Sequence, residues 1–99
     1  MKVLMTQAEQ TTANQIARLV QLCRQAVEGL KFNLTEDQLE EMDSYFVKSL
    51  NTLKAVRNDR QMSLSDLQGA ESAIATINAL RSQVLARKRE TKRGQNGHH

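Results

Sequence analysis

The apolar residues of this chain recur at steps of three and four in successive runs broken by short polar stretches. That spacing places side chains on one stripe of a 3.6-residue helix. The longest run, Met62 to Arg93, has no Pro and no paired Gly, and carries Leu67, Ala70, Ile74, Ile77, Leu80 and Val84 on its stripe. Ser63 with Asp66 has capping-box spacing and Met62 with Leu67 that of a hydrophobic staple, so a helix should begin near residue 64. Gly69 inside it costs about 1 kcal/mol against Ala. It either admits a second backbone at close range or has no consequence.

The first run places Ile16, Leu19, Val20, Cys23, Ala26, Val27 and Leu30 on one face, with Arg18, Gln21, Arg24, Gln25 and Glu28 opposite. Thr6 with Glu9 and Thr12 with Gln15 are alternative start boxes. The second is favoured, which predicts a helix over 12–31 after a flexible or frayed 1–11. Asn33, a residue that tolerates the left-handed conformation, is expected to end it. Thr35 with Gln38 then makes a second capping box, Leu34 and Leu39 a staple, and Glu36 and Asp37 place negative charge on the positive end of a new helix dipole. Leu39, Met42, Phe46, Leu50, Leu53 and Val56 form its stripe, predicting a helix over 36–58, and Asn58 to Gln61 turns the chain into the third helix, 64–93.

Short turns between three helices predict an all-α, up-down-up three-helix bundle in one domain spanning 12–93. At 1.5 Å per residue the second helix spans roughly 34 Å and the third roughly 45 Å. On that count the third helix draws level with Glu36 near Ala86, so that Arg87 to Arg93 overhang the bundle as a basic stub. Residues 94–99 are expected to be a disordered tail, with His98 and His99 either native or the remnant of a purification tag.

Composition sharpens this picture. Phe32, Tyr45 and Phe46 are the aromatic residues and there is no Trp, so the core is aliphatic and thin. Self-association that buries more apolar surface is expected, with a homodimer the simplest form. No run reaches the length of a membrane span, and Met1 to Met5 is too short for the apolar part of a secretion signal, which points to a cytoplasmic protein with no membrane partner. Cys23, the single cysteine, forms no internal disulfide. The net charge of +3 is unevenly placed: Glu36 to Asp43 holds five acids and no base, while Arg87 to Arg93 holds five bases and one acid.

Candidate chemistry is sparse. Arg87, Lys88, Arg89, Lys92 and Arg93 cover most of a helix circumference and suit phosphate contacts, the basis of a nucleic-acid reading. The plainer reading is that cations favour a helix C-terminus and face the acidic start of the second helix, and no aromatic residue interleaves the bases. Glu36, Asp37, Glu40, Glu41 and Asp43 read as a solvated, dipole-compensating face; the sequence has no His before residue 98 to complete a metal site. Cys23 sits between Val20 and Val27 on an apolar face without a neighbouring base, the setting of a buried structural thiol. Isolated glycines at 29, 69, 94 and 97 make no phosphate loop, and no nucleophile-elbow, Cys-x-x-Cys or zinc-protease motif occurs. The expectation is a protein that is not an enzyme and uses no cofactor or metal.

What remains is surface. Tyr45 and Val47 flank Phe46 on either side of the second stripe, and Leu64 and Leu85 lie off the stripe of the third helix. These four are the candidate protein-binding residues, although packing against two neighbours also widens a stripe. The word Glu71-Ser72-Ala73-Ile74-Ala75-Thr76-Ile77 resembles the second helix of small type III secretion co-chaperones. Those are helical hairpins that pair with a partner chaperone, so the resemblance, which covers seven residues, implies a chaperone or adaptor role and transfers no site residue. The sequence thus reads as a protein-protein interaction module of adaptor, chaperone or inhibitor type acting through helices two and three. The alternative is a small nucleic-acid-binding regulator using the basic end.

Overall fold

A computed structural model describes the backbone of residues 3–96 and the side chains of 12–91. The chain forms three α-helices packed against each other: α1 (Val3–Glu28), α2 (Glu36–Arg57) and α3 (Leu64–Asn96), with a 3-10 turn at Gly29–Lys31 and no strand among the described residues.

Two of the three starts follow their caps. At α2 the full box forms: Gln38 N–H donates to Thr35 Oγ1 at 3.1 Å and Thr35 N–H to Gln38 Oε1 at 2.8 Å. At α3 Asp66 N–H donates to Ser63 Oγ at 3.1 Å. α1 departs from expectation, being helical from Val3 rather than from Thr12. The polar stretch before Thr12 contains no Gly or Pro to break a helix, so the box at Thr12 does not act as a stop. α3 likewise runs on through Asn96, past the expected limit at Arg93, while Gly97, His98 and His99 lie outside the described residues.

α1 does not end through a left-handed Asn33. Among the described residues none has positive φ. The helix tightens into the 3-10 turn, Phe32 N–H donates to Gly29 O at 3.1 Å, and the Arg87 guanidinium caps the segment from outside by donating to Leu30 O at 2.6 Å and Phe32 O at 3.0 Å. With those carbonyls satisfied, the left-handed cap has no orphan groups to serve. The α2–α3 turn is closed by Asp59, whose carboxylate accepts from Gln61 N–H at 2.9 Å and whose carbonyl accepts from Met62 N–H at 3.2 Å.

The core lies mainly between α2 and α3. Leu39, Phe46, Leu50 and Leu53 of α2 and Ala70, Ala73, Ile74, Ile77 and Val84 of α3 are buried, whereas Ile16 and Cys23 are the buried hydrophobic residues described on α1. Leu19, Val20, Ala26, Val27 and Leu30 pack against that core but stay half-exposed. The interfaces explain this: α3 meets α2 extensively and α1 less so, while α1 and α2 barely touch. Gly69 does not admit a backbone; its nearest neighbour beyond its own helix is Ile16 Cδ1, 3.9 Å from where a Cβ would stand. The molecule is long and narrow, 67 × 22 × 16 Å.

Candidate functional surfaces

The polar features cluster at one end of the molecule. Asp43 of α2, expected on a solvated face, is only 9 % exposed. Its carboxylate accepts from Arg81 Nε at 2.6 Å and from Arg81 Nη2 at 3.4 Å, and Lys88 Nζ lies 3.6 Å away. The Arg81 guanidinium is the main cause holding the Asp43 carboxyl below the usual carboxylate range, burial opposes it, and Lys88 adds to it; Asp43 in turn raises Arg81 above its ordinary value. Asp43 stands four residues before Val47 and three before Phe46, at the edge of the buried stripe, and that helical spacing was the available signal that it faces inward.

This cluster revises the register of the overhang. Lys88 Nζ also pairs with Glu40 at 3.2 Å, so α3 is level with Glu40 at Lys88 and reaches the start of α2 later than Ala86. Arg87 and Lys88 are half-buried against the body rather than standing free, and Arg89 is exposed. The side chains of Lys92 and Arg93 lie outside the described residues. The estimate from helix lengths failed because it took the turn as flush with both helices; the paired residues place the point where they draw level further along α3.

The fold also brings an aromatic residue to the basic end. Phe32 is 62 % exposed, its carbonyl is held by Arg87, and Lys31 Nζ sits 5.9 Å from its ring centroid. Sequence reasoning missed this because Phe32 and Arg87 are joined only by tertiary structure.

The four apolar candidates do not converge. Leu64, at the first position of α3, is 70 % exposed, while Tyr45, Val47 and Leu85 are half-buried. Tyr45 packs against the core and also borders a shallow hollow of about 610 Å³ on α2, with Asp37, Glu40, Glu41, Ser44 and Lys48. Leu64 and Leu85 are separated by roughly 31 Å along α3 at 1.5 Å per residue. Two further hollows run beside α1. One, of about 360 Å³, follows the α1–α3 groove past Val20, Arg24, Gly69 and Thr76. The other, of about 340 Å³, lies in the open α1–α2 seam between Gln15, Arg18, Leu19, Leu22 and Thr52.

Cys23 is fully buried, and desolvation pushes its thiol up, eased by the neighbouring Ser49 hydroxyl. Ser49 Oγ, on a residue only 2 % exposed, makes no well-formed hydrogen bond. Among the described residues no three His, Cys, Asp or Glu side chains gather as a metal site, and no helix is long and apolar enough to cross a membrane. Comparison of the chain with protein-family models, curated proteins and solved structures finds no match.

Proposed function

We propose that this chain is a non-enzymatic protein-interaction module, an up-down-up bundle with a basic C-terminal helix that works as an adaptor, small chaperone or inhibitor and associates with itself. The arrangement is supported by paired residues: Arg57 with Glu71, Asp43 with Arg81 and Glu40 with Lys88 ascend α3 as they descend α2, while Ile16 meets Gly69 and the end of α1 meets Arg87. The observation that carries the function is Leu64, a large apolar side chain left 70 % exposed on the first turn of a well-anchored helix. Held by the Ser63 cap beneath it, it is presented rigidly, and a rigid apolar anchor is what protein interfaces use as a hot spot.

Light scattering tests the reading. A species larger than the 11.2 kDa monomer is expected, shifting toward monomer on Leu64→Ser, a surface change that leaves the core intact. A strict monomer that recovers no partner in a pull-down sinks it.

The nucleic-acid reading gains one supporting observation, the exposed Phe32 beside Arg87, since an aromatic face with nearby cations is a stacking platform. It is weakened because Arg87 and Lys88 are already engaged by backbone carbonyls and carboxylates. Binding to single-stranded DNA or RNA that is lost on Phe32→Ala and falls steeply with salt would favour it; no binding at low salt removes it.

A further inference from the structure

We propose that two copies of this chain pair through the first residues of α1, each laying an apolar helix tip beside Leu64 of the other. This rests on the self-association and the up-down-up arrangement of the reading above, and deepens it by naming the segment that covers Leu64.

The first observation is a projection at the end of the molecule away from Asp43. Ile16 stands beside Gly69, and Leu30 O is held by Arg87 further up both helices, so α1 and α3 ascend together. Leu64 begins α3 five residues before Gly69, which puts it about level with Thr11, five residues before Ile16. α2 has ended at Arg57, level with Glu71, so neither helix accompanies residues 3–10. At 1.5 Å per residue those residues carry α1 about 12 Å past the first turn of α3. The 67 Å length of the molecule fits that stagger, since the 33 residues of α3 span only roughly 50 Å.

The second observation is what the projection carries. Val3, Leu4 and Met5 are consecutive apolar residues at its tip, and the shank behind them, residues 6–15, is polar apart from Ala8 and Ala13. α1 is one helix from Val3 to Glu28, so the tip cannot fold back onto its own core, and burial of its apolar residues has to come from another molecule. Two features choose a second copy as that molecule. A two-fold interface must be self-complementary, and Leu64, 70 % exposed, stands at the root of the same projection. Two projections laid antiparallel and fully overlapped bring Val3 of each level with Gln10 of the other, one residue short of the level of Leu64, with the axis between Thr6 and Gln7. Charge selects the same end. Residues 3–17 hold a single charged residue, Glu9, whereas Arg87 to Arg93 hold five bases and one acid, so copies meet with little repulsion at the α1 tips and with much more at the basic end. Phe32, the other large hydrophobic residue described as exposed, lies at that basic end beside Lys31 and Arg87 and is a poor receiver for a head-to-tail contact.

Sedimentation equilibrium of the full chain across a concentration series tests the pairing. A reversible dimer is expected, its Kd raised roughly tenfold or more by Leu4→Ser with Met5→Ser, and by Leu64→Ser alone. Circular dichroism and thermal melting check that the variants fold; Leu4→Gln with Met5→Gln serves in place of a tip pair that does not. A short bismaleimide should join Gln7→Cys to its own copy across the axis and leave Phe32→Cys, at the other end, unjoined; the buried Cys23 stays in place, with the natural chain as control. A dimer indifferent to the tip pair or to Leu64→Ser, a crosslink at Phe32→Cys in place of Gln7→Cys, or species that keep growing past the dimer overturn the proposal. If Leu64→Ser dissociates a dimer that the tip variants leave intact, the reading above stands and the α1 pairing alone fails. A chain that is monomeric throughout yet binds another protein through Leu64 also overturns the pairing while leaving the adaptor role, and a strict monomer with no partner sinks both.

Discussion

Ser49 and Asp43 are both buried polar side chains of α2, and chemistry divides them. Asp43 has two cationic partners, whereas the Ser49 hydroxyl has only the Cys23 thiol beside it and no well-formed hydrogen bond. A buried, unsatisfied hydroxyl carries its desolvation cost without return, and Ala is the better helix former. Ser49→Ala should therefore raise stability by about 1 kcal/mol in urea titrations. The opposite holds for Asp43, where Asn would leave Arg81 without its counter-charge and Lys88 with Glu40 alone; a loss of about 2 kcal/mol is expected for a cluster that keeps some contact with water. The pH dependence follows in sign. Because the folded-state pKa of Asp43 lies below its ordinary value, its contribution is fully present above about pH 4 and is lost as pH falls through the folded value. The melting temperature of the natural chain should fall as pH drops through that acid range, and that of Asp43→Asn should fall less.

For whole helices, the local signals were of uneven worth. The Thr35 box was visible in the sequence and forms as read, since both of its bonds lie within four consecutive residues. The end of α1 was not visible, because the group that caps it, Arg87, arrives from the far end of α3. The onset of α1 was misread for another reason: a capping box is permissive, and a helix already propagating from Val3 passes through Thr12 at little cost. Gly69 is a small reserve of stability. A Cβ there would make an ordinary contact with Ile16, so Gly69→Ala should raise the melting temperature, by an amount corresponding to about 1 kcal/mol, without disturbing α1.

Taken as a whole molecule, the three helices are not equal partners. α2 and α3 hold most of the core between them, and α1 is attached along one side. An element that buries so little should open more readily than the pair it rests on. Hydrogen exchange should be faster along 12–28 than in the middles of α2 and α3. Arg87→Ala should speed it further near the end of α1, and make Cys23 quicker to react with a thiol reagent, because the guanidinium that ties Leu30 and Phe32 to α3 is gone. Equal exchange in all three helices would contradict that division.

By itself the sequence determined that the chain is helical, where α2 and α3 begin, and which stripe of each faces inward, because periodicity and capping act over a few residues at a time. Tertiary structure decided that α1 stands off from α2, that Asp43 is an interior ion rather than a surface one, that Arg87 and Lys88 lean on the body, and that Phe32 shares their end of the molecule. Those outcomes depend on how far one helix slides along another and which side it turns. That choice is made by packing between residues dozens of positions apart, and no local spacing carries it.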